Sequence, residues 1–166
     1  MLQRYINRNQ LRFDPEVAHI MLQATQKAMK HLAARVAYLS MSESLILLNT
    51  RHSMTNAWLE CEAASTFCSI YSGIVNSTIK SGVDIPFLFN CRMIKCNNEG
   101  VVHRMLKSIE GNTWSQTKKQ NLSDEEIEKL PRIYTRGISI LYNHELHEFE
   151  TYLSQSPKHV FDKELV

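Results

Sequence analysis

Glycine and proline are scarce: five and four among 166 residues. That scarcity excludes a collagen-like or low-complexity chain and leaves room for long uninterrupted elements. Cysteine is equally sparse, with only Cys61, Cys68, Cys91 and Cys96, which argues against a disulfide scaffold and for reduced thiols. No apolar run reaches the roughly 18 residues needed to span a bilayer. The polar start, with Arg4 and Arg8 and no apolar stretch behind them, does not read as a secretory signal. A cytoplasmic protein with no membrane partner is therefore expected. Charge of one sign is also missing: 19 basic and 17 acidic residues leave a formal net charge of +2, which alone argues for nothing, so that the distribution of charge is the more useful signal.

Motifs of nucleotide and hydrolytic chemistry are absent as well. Neither the Rossmann nor the P-loop glycine spacing occurs, and no serine, histidine and acid constellation stands out. Cys91, Cys96 and His103 supply three possible soft ligands, but they lack the paired short turns that fix a tetrahedral zinc site. The His144-Glu-Leu-His147 pair is spaced by three rather than the four of a metalloprotease helix. From these residues the chain is expected to be no enzyme and to need neither metal nor cofactor. A small metalloenzyme using Cys91, Cys96 or His144 and His147 is the weakest alternative, and elemental analysis would exclude it.

What the sequence does contain is amphipathic periodicity and one basic stretch. Asp14-Pro15-Glu16 is a helix start, and Val17, Ile20, Met21, Ala24, Ala28, Leu32 and Val36 recur at threes and fours, predicting a helix to about Leu39. Ser40 to Glu43 reads as a capping box for a short helix through Leu48. Asn49 to Met54 reads as a turn. A third helix is predicted from Thr55 to Lys80, with Trp58, Phe67, Ile70, Ile74 and Val75 inward and Ser81-Gly82 as its stop. Ile85 to Ile94 alternates around Phe87, Phe89, Cys91 and Met93 and predicts a strand. After a turn at Asn97 to Gly100, Val101 to Ile109 fits a short helix or a return strand. Glu110 to Asn121 is polar and predicts a loop. Ser123 to Glu126 is a second capping box opening a last helix that Pro131 bends and that continues to Leu153.

The fold class expected from this pattern is mainly α. It is a helical domain with one short β-strand or hairpin near 85–105 and a helix-loop-helix carboxy-terminal half. A single domain over 1–166 would divide into a helical oligomerisation part with an edge strand (14–95), a DNA-binding part (96–153) and a frayed tail (154–166). Between Cys91 and Gln120, Arg92, Lys95, Arg104, Lys107, Lys118 and Lys119 face only Glu99 and Glu110, a local excess suited to phosphate. Arg104, Lys107, Trp114, Lys118, Lys119, Arg132 and Arg136 are thus the candidate DNA-contacting residues. The alternative is a solvated face.

Several segments resemble a known family. Ala24, Ala33, Leu39 and the Met41 to Leu45 step, the Phe87 to Met93 segment, Val101 to Leu106, Glu125 to Thr135 and Gly137 to Ile140 are collinear with, and similar to, FlhD, the flagellar master regulator subunit. Relative to that family the chain carries an insertion at Asn49 to Lys80 and an extended loop at Gly111 to Asn121. Ala64 to Cys68 and Ser81 to Asp84 resemble its partner FlhC, although the four-cysteine zinc site of that protein is missing. The resemblance implies a DNA-binding subunit of an oligomeric transcriptional activator. Its partners would be double-stranded DNA, an FlhC-like zinc-containing subunit, further copies of itself and RNA polymerase. Met21, Ala24, Ala28, Leu32, Phe87 and Phe89 would form the oligomerisation surface. The alternative function is a helical adaptor or secretion chaperone that binds a protein client.

Overall fold

The computed structural model describes residues 13–41, 43–48, 56–79, 87–94, 96, 98–153 and 155–165, with backbone alone for 56–60. The elements are helix α1 (Pro15–His31), strands β1 (Val36–Leu39) and β2 (Ser44–Leu47), helices α2 (Asn56–Thr78), α3 (Glu99–Lys118), α4 (Asp124–Lys129) and α5 (Arg132–Thr135), strands β3 (Ile138–Asn143) and β4 (Glu148–Tyr152), and helix α6 (Pro157–Leu165). They fall into two compact units, Met1–Ala34 with Leu47–Lys95, and Arg35–Ile46 with Cys96–Val166. This is an α/β architecture with a four-stranded sheet, and it corrects the mainly helical expectation.

The first unit is a helix pair. Asp14 accepts from the Glu16 amide at 2.8 Å and Pro15 takes the first helical position, as the sequence predicts. Val17, Ile20, Met21, Ala24 and Ala28 are buried, and α1 packs on α2. The α1 helix stops eight residues before Leu39. Ala33 adopts φ +50, and the Ala34 amide returns to the Met29 carbonyl at 2.9 Å. This is a left-handed helix end occupied by alanine instead of the usual glycine, so the stop carries no glycine signal. On α2, Ala63, Tyr71 and Val75 are buried, with Phe67 stacked on Tyr71 at 4.4 Å. Tyr71 also exchanges a hydroxyl hydrogen bond with Thr25 of α1.

Residues 87–94 alternate in burial as a strand would, with Phe87 buried and Leu88 exposed, yet they join no sheet among the described residues. Asn76 supplies what a neighbouring strand would have supplied. Its Nδ2 donates to the Phe87 carbonyl at 2.9 Å, and its Oδ1 accepts the Phe87 amide at 2.6 Å. The Asn49–Met54 turn, Trp58, the Ser81-Gly82 stop, Ile85-Pro86 and Asn97 lie outside the described residues or side chains.

The second unit is built on the sheet, in the order β2-β1-β3-β4. β1 runs antiparallel to β3, with Val36 opposite Leu141 and Leu39 opposite Ile138, and β3 runs antiparallel to β4. Ser40 and Glu43, read as the ends of a capping box, lie between β1 and β2, the Ser40 amide donating to the Glu43 carbonyl at 2.9 Å. All four residues of β1 are buried, and a strand buried along its length loses the alternation that would separate it from a helix. The capping box at Ser123 and Glu126 is present, but it opens only α4. Leu130 and Pro131 end that helix, and the Ile138 to Phe149 stretch forms β3 and β4 instead of a continued helix. The tail from Pro157 is helical: α6 buries Val160 and Phe161 and packs on β1, β3 and α3. Each large apolar side chain so buried contributes roughly 1.5–3 kcal/mol.

Candidate functional site

The largest difference from the sequence reading lies in α3. It runs unbroken from Glu99 to Lys118, so the loop expected at Glu110–Asn121 and the helix-loop-helix half do not exist. Asn98 caps it, accepting the Val101 amide. Its buried stripe begins with Val102 and Leu106 and continues with Thr113 and Thr117. Each threonine hydroxyl is satisfied by the carbonyl one turn back, Thr113 on Ile109 at 2.8 Å and Thr117 on Thr113 at 3.0 Å, and Thr117 also reaches the Tyr134 carbonyl at 2.7 Å. Polar residues hold the buried face, and hydrophobic periodicity does not reveal them.

This helix gathers four of the seven basic or aromatic candidates on one side. At 100° per residue Arg104, Lys107, Trp114 and Lys118 fall within an arc of ~80°, centred ~130° from the Val102, Leu106, Thr113 and Thr117 stripe. Arg104, Lys107 and Lys118 are exposed and Trp114 is half-buried. Lys119, also exposed, points ~100° away from the centre of that arc. The basic face, from Arg104 to Lys118, extends over roughly 21 Å at 1.5 Å per residue.

Toward the carboxy-terminal end of the basic face, the Trp114 ring has two cations near it, the Lys118 ammonium 5.3 Å and the Arg136 guanidinium 5.1 Å from its centroid. Arg132 and Arg136 approach the same carboxylate oxygen of Glu110, at 3.1 and 3.7 Å. Arg132 also donates from Nε to the Gly137 carbonyl at 3.1 Å. One negative charge between two guanidiniums leaves the cluster net positive. Arg132 is fixed by its two bonds, whereas the half-exposed Arg136 and the exposed Lys118 can turn toward an anion. Beneath them, the Tyr38 hydroxyl donates to the Arg136 carbonyl. Burial, and then the Glu110 charge, push the Tyr38 phenol well above its ordinary range, with Arg132 and Arg136 opposing. It is a neutral structural donor.

The remaining candidates separate. Burial raises the Cys91 thiol, with a further push from Cys68, and burial raises Cys96; neither is an activated nucleophile. His144 and His147 lie in the exposed turn between β3 and β4, His147 in the left-handed region at φ +55. His103 is found beside Glu99 and Asp162. Of the residues expected to join copies of the chain, Met21, Ala24, Ala28 and Phe87 are buried within the chain, and Leu32 and Phe89 are half-buried. Sequence reasoning missed Glu110, Tyr38, Glu99 and Asp162. Glu99 and His103, one helical turn apart, carried the only local signal.

No family model matches the chain, and no curated protein matches it. Solved structures do. A bacterial tRNA(His) guanylyltransferase (Thg1)-like protein in complex with GTP superposes with a TM-score of 0.66 at 15% identity, over 92% of this chain and 77% of that one. A bacterial Thg1-like protein in complex with ATP gives 0.57 at 16% identity, over 92% and 78%. The chain therefore has a Thg1-like fold.

That finding overturns the FlhD resemblance and what it carried: the activator function, the double-stranded DNA, FlhC-like, RNA polymerase and homo-oligomer partners, and the adaptor alternative. The exclusion of an enzyme falls with them, since the fold is shared with guanylyltransferase-like proteins. The FlhD-like segments were collinear amphipathic stretches. In two of them Ser44 and Leu45 belong to β2, and Ile138 to Ile140 to β3, where the sequence predicts helix. No helix among the described residues is long and apolar enough to cross a membrane.

Proposed function

We propose that this chain is a cytoplasmic, nucleotide-dependent enzyme of the nucleotidyl-transfer class that acts on RNA. The observation that carries the reading is the shared fold, over 92% of the chain, with a guanylyltransferase-like protein in complex with GTP. Reduced-thiol cysteine usage supports the compartment.

The α3 face supports the substrate class. Arg104, Lys107 and Lys118, with Arg132, Arg136 and more peripherally Lys119, offer charge to phosphates, while Trp114 offers a ring on which a base can stack. RNA ends and loops present unstacked bases that such a pairing of cation and aromatic suits. In the reaction an RNA oxygen forms a bond to the α-phosphorus of a nucleoside triphosphate. The bond from that phosphorus to the bridging oxygen breaks, and pyrophosphate leaves with the electron pair. Cations near the phosphates stabilise the charge developing there; Lys118 and Arg136 are the side chains assigned that role.

The test is to incubate the full chain with transfer RNA, a magnesium salt and α-labelled GTP or ATP, and to look for label on the RNA. Label that requires the protein and falls in Arg136→Ala supports the assignment. Nucleotide binding without label would overturn transfer and leave a binding protein. Neither binding nor label would overturn the whole reading.

A further inference from the structure

Three side chains outside the Trp114 cluster converge at the amino-terminal end of α3. Glu99 and His103 are four residues apart on α3 and so share a face. Asp162, on α6, meets them, its Oδ1 2.5 Å from His103 Nε2. One potential ligand atom from each of the three lies within 4.8 Å of the others. We infer that Glu99, His103 and Asp162 bind a single divalent transition-metal ion that bridges α3 and α6, independently of the nucleotide reading.

The geometry is close to what such an ion requires. Ligand atoms about 2.0–2.2 Å from a tetrahedral metal stand roughly 3.3–3.5 Å from one another. His103 and Asp162 therefore need to separate by less than about 1 Å, and a carboxylate oxygen of Glu99, exposed at the helix start, already lies within 4.8 Å of both. One imidazole with two carboxylates selects the zinc, cobalt, nickel or manganese class over magnesium or calcium, which prefer all-oxygen sites. The His103 and Asp162 side chains are 25% and 40% exposed, so ions have access and water can fill the remaining positions. Without an ion the same atoms form a His103–Asp162 hydrogen bond. The ion would therefore replace a contact that already joins the two helices.

The experiment is titration of the full chain, first stripped with chelator, with Co2+, followed by d–d absorption, and with Zn2+ in competition with a chromophoric chelator. One ion per chain is expected. His103→Gln and Asp162→Asn should each weaken binding by at least about tenfold, a loss that removal of an outer-shell partner alone can cause. His144→Gln and His147→Gln should leave it unchanged. NMR of the unmutated protein gives a reading that no misfolded variant can confuse: Co2+ should shift or broaden amide signals around residues 99–103 and 158–165 first. No saturable binding, binding that survives both substitutions, or perturbation centred elsewhere would overturn the site.

Discussion

The Tyr38 ring closes directly over Gly137. A Cβ at position 137 would stand 2.8 Å from both Tyr38 Cζ and its hydroxyl oxygen, and 2.9 Å from the Leu39 carbonyl. Gly137 also has φ +94 and follows α5, its amide returning to the Arg132 carbonyl at 2.7 Å. Backbone conformation and close approach both demand glycine here. Gly137→Ala should lose about 2–4 kcal/mol, since strain and overlap add. Gly111→Ala, inside α3 with nothing within 4 Å, should gain up to about 1 kcal/mol. Urea unfolding midpoints of the two variants should therefore move in opposite directions, and a shared direction would contradict the account.

Tyr38 makes stability depend on alkaline pH. Its ordinary pKa is 10.0, and burial first, then Glu110, raise it in the folded chain. The fold thus favours the neutral phenol: its contribution is complete below the unfolded value and is lost as pH rises beyond it toward the folded one. Stability should fall above about pH 10. Tyr38→Phe keeps the ring but loses the hydroxyl bond to Arg136, at about 1 kcal/mol near neutrality. The decline above pH 10 should be shallower in this variant. Equal slopes in both proteins, measured by urea unfolding between neutrality and about pH 11, would assign the decline to other groups.

Asn76 joins the 87–94 segment to α2 through both Phe87 backbone groups. Asn76→Ala removes both of these hydrogen bonds at a buried residue, costing roughly 1–3 kcal/mol. Asn76→Asp keeps the acceptor and loses the donor, so it should fall between. Hydrogen exchange at the Phe87 amide is the direct readout: fast in the alanine variant, slower in the aspartate variant. Unchanged protection in alanine would mean that Asn76 does not hold the segment.

How much was legible depended on where the signal lay. The Asp14-Pro15 start, the α2 helix and the Ser123 capping box were readable because caps and long helices are local. The sheet was not. β1 is buried on all four residues, and β3, with Ile138, Ile140 and Leu141, could be read as a helical stripe. In α3 the threonines Thr113 and Thr117 occupy buried positions that a hydrophobic count assigns to loop. The basic and aromatic side chains were named from composition, but their alignment became visible only once α3 was continuous. Glu110, which holds Arg132 and Arg136, was counted as an opposing charge and not as their anchor. Asp162 lies 59 positions from His103, and no local pattern joins them.

That alignment separates two neighbouring lysines. Lys107 and Lys118 lie on the Trp114 face of α3, whereas Lys119 points about a quarter-turn away. All three are exposed, so substituting them should leave the fold intact, and bulk charge would treat them alike. If the Trp114 face holds RNA, Lys107→Gln with Lys118→Gln should remove two phosphate contacts. The logarithmic salt dependence of binding would then be shallower by roughly 1.4, at about 0.7 per single-stranded phosphate. Lys119→Gln should change it by less than half that of either single substitution. Fluorescence anisotropy with a labelled single-stranded RNA at several salt concentrations measures each slope. An effect of Lys119→Gln equal to that of Lys118→Gln would show that net charge, and not this helix face, governs binding.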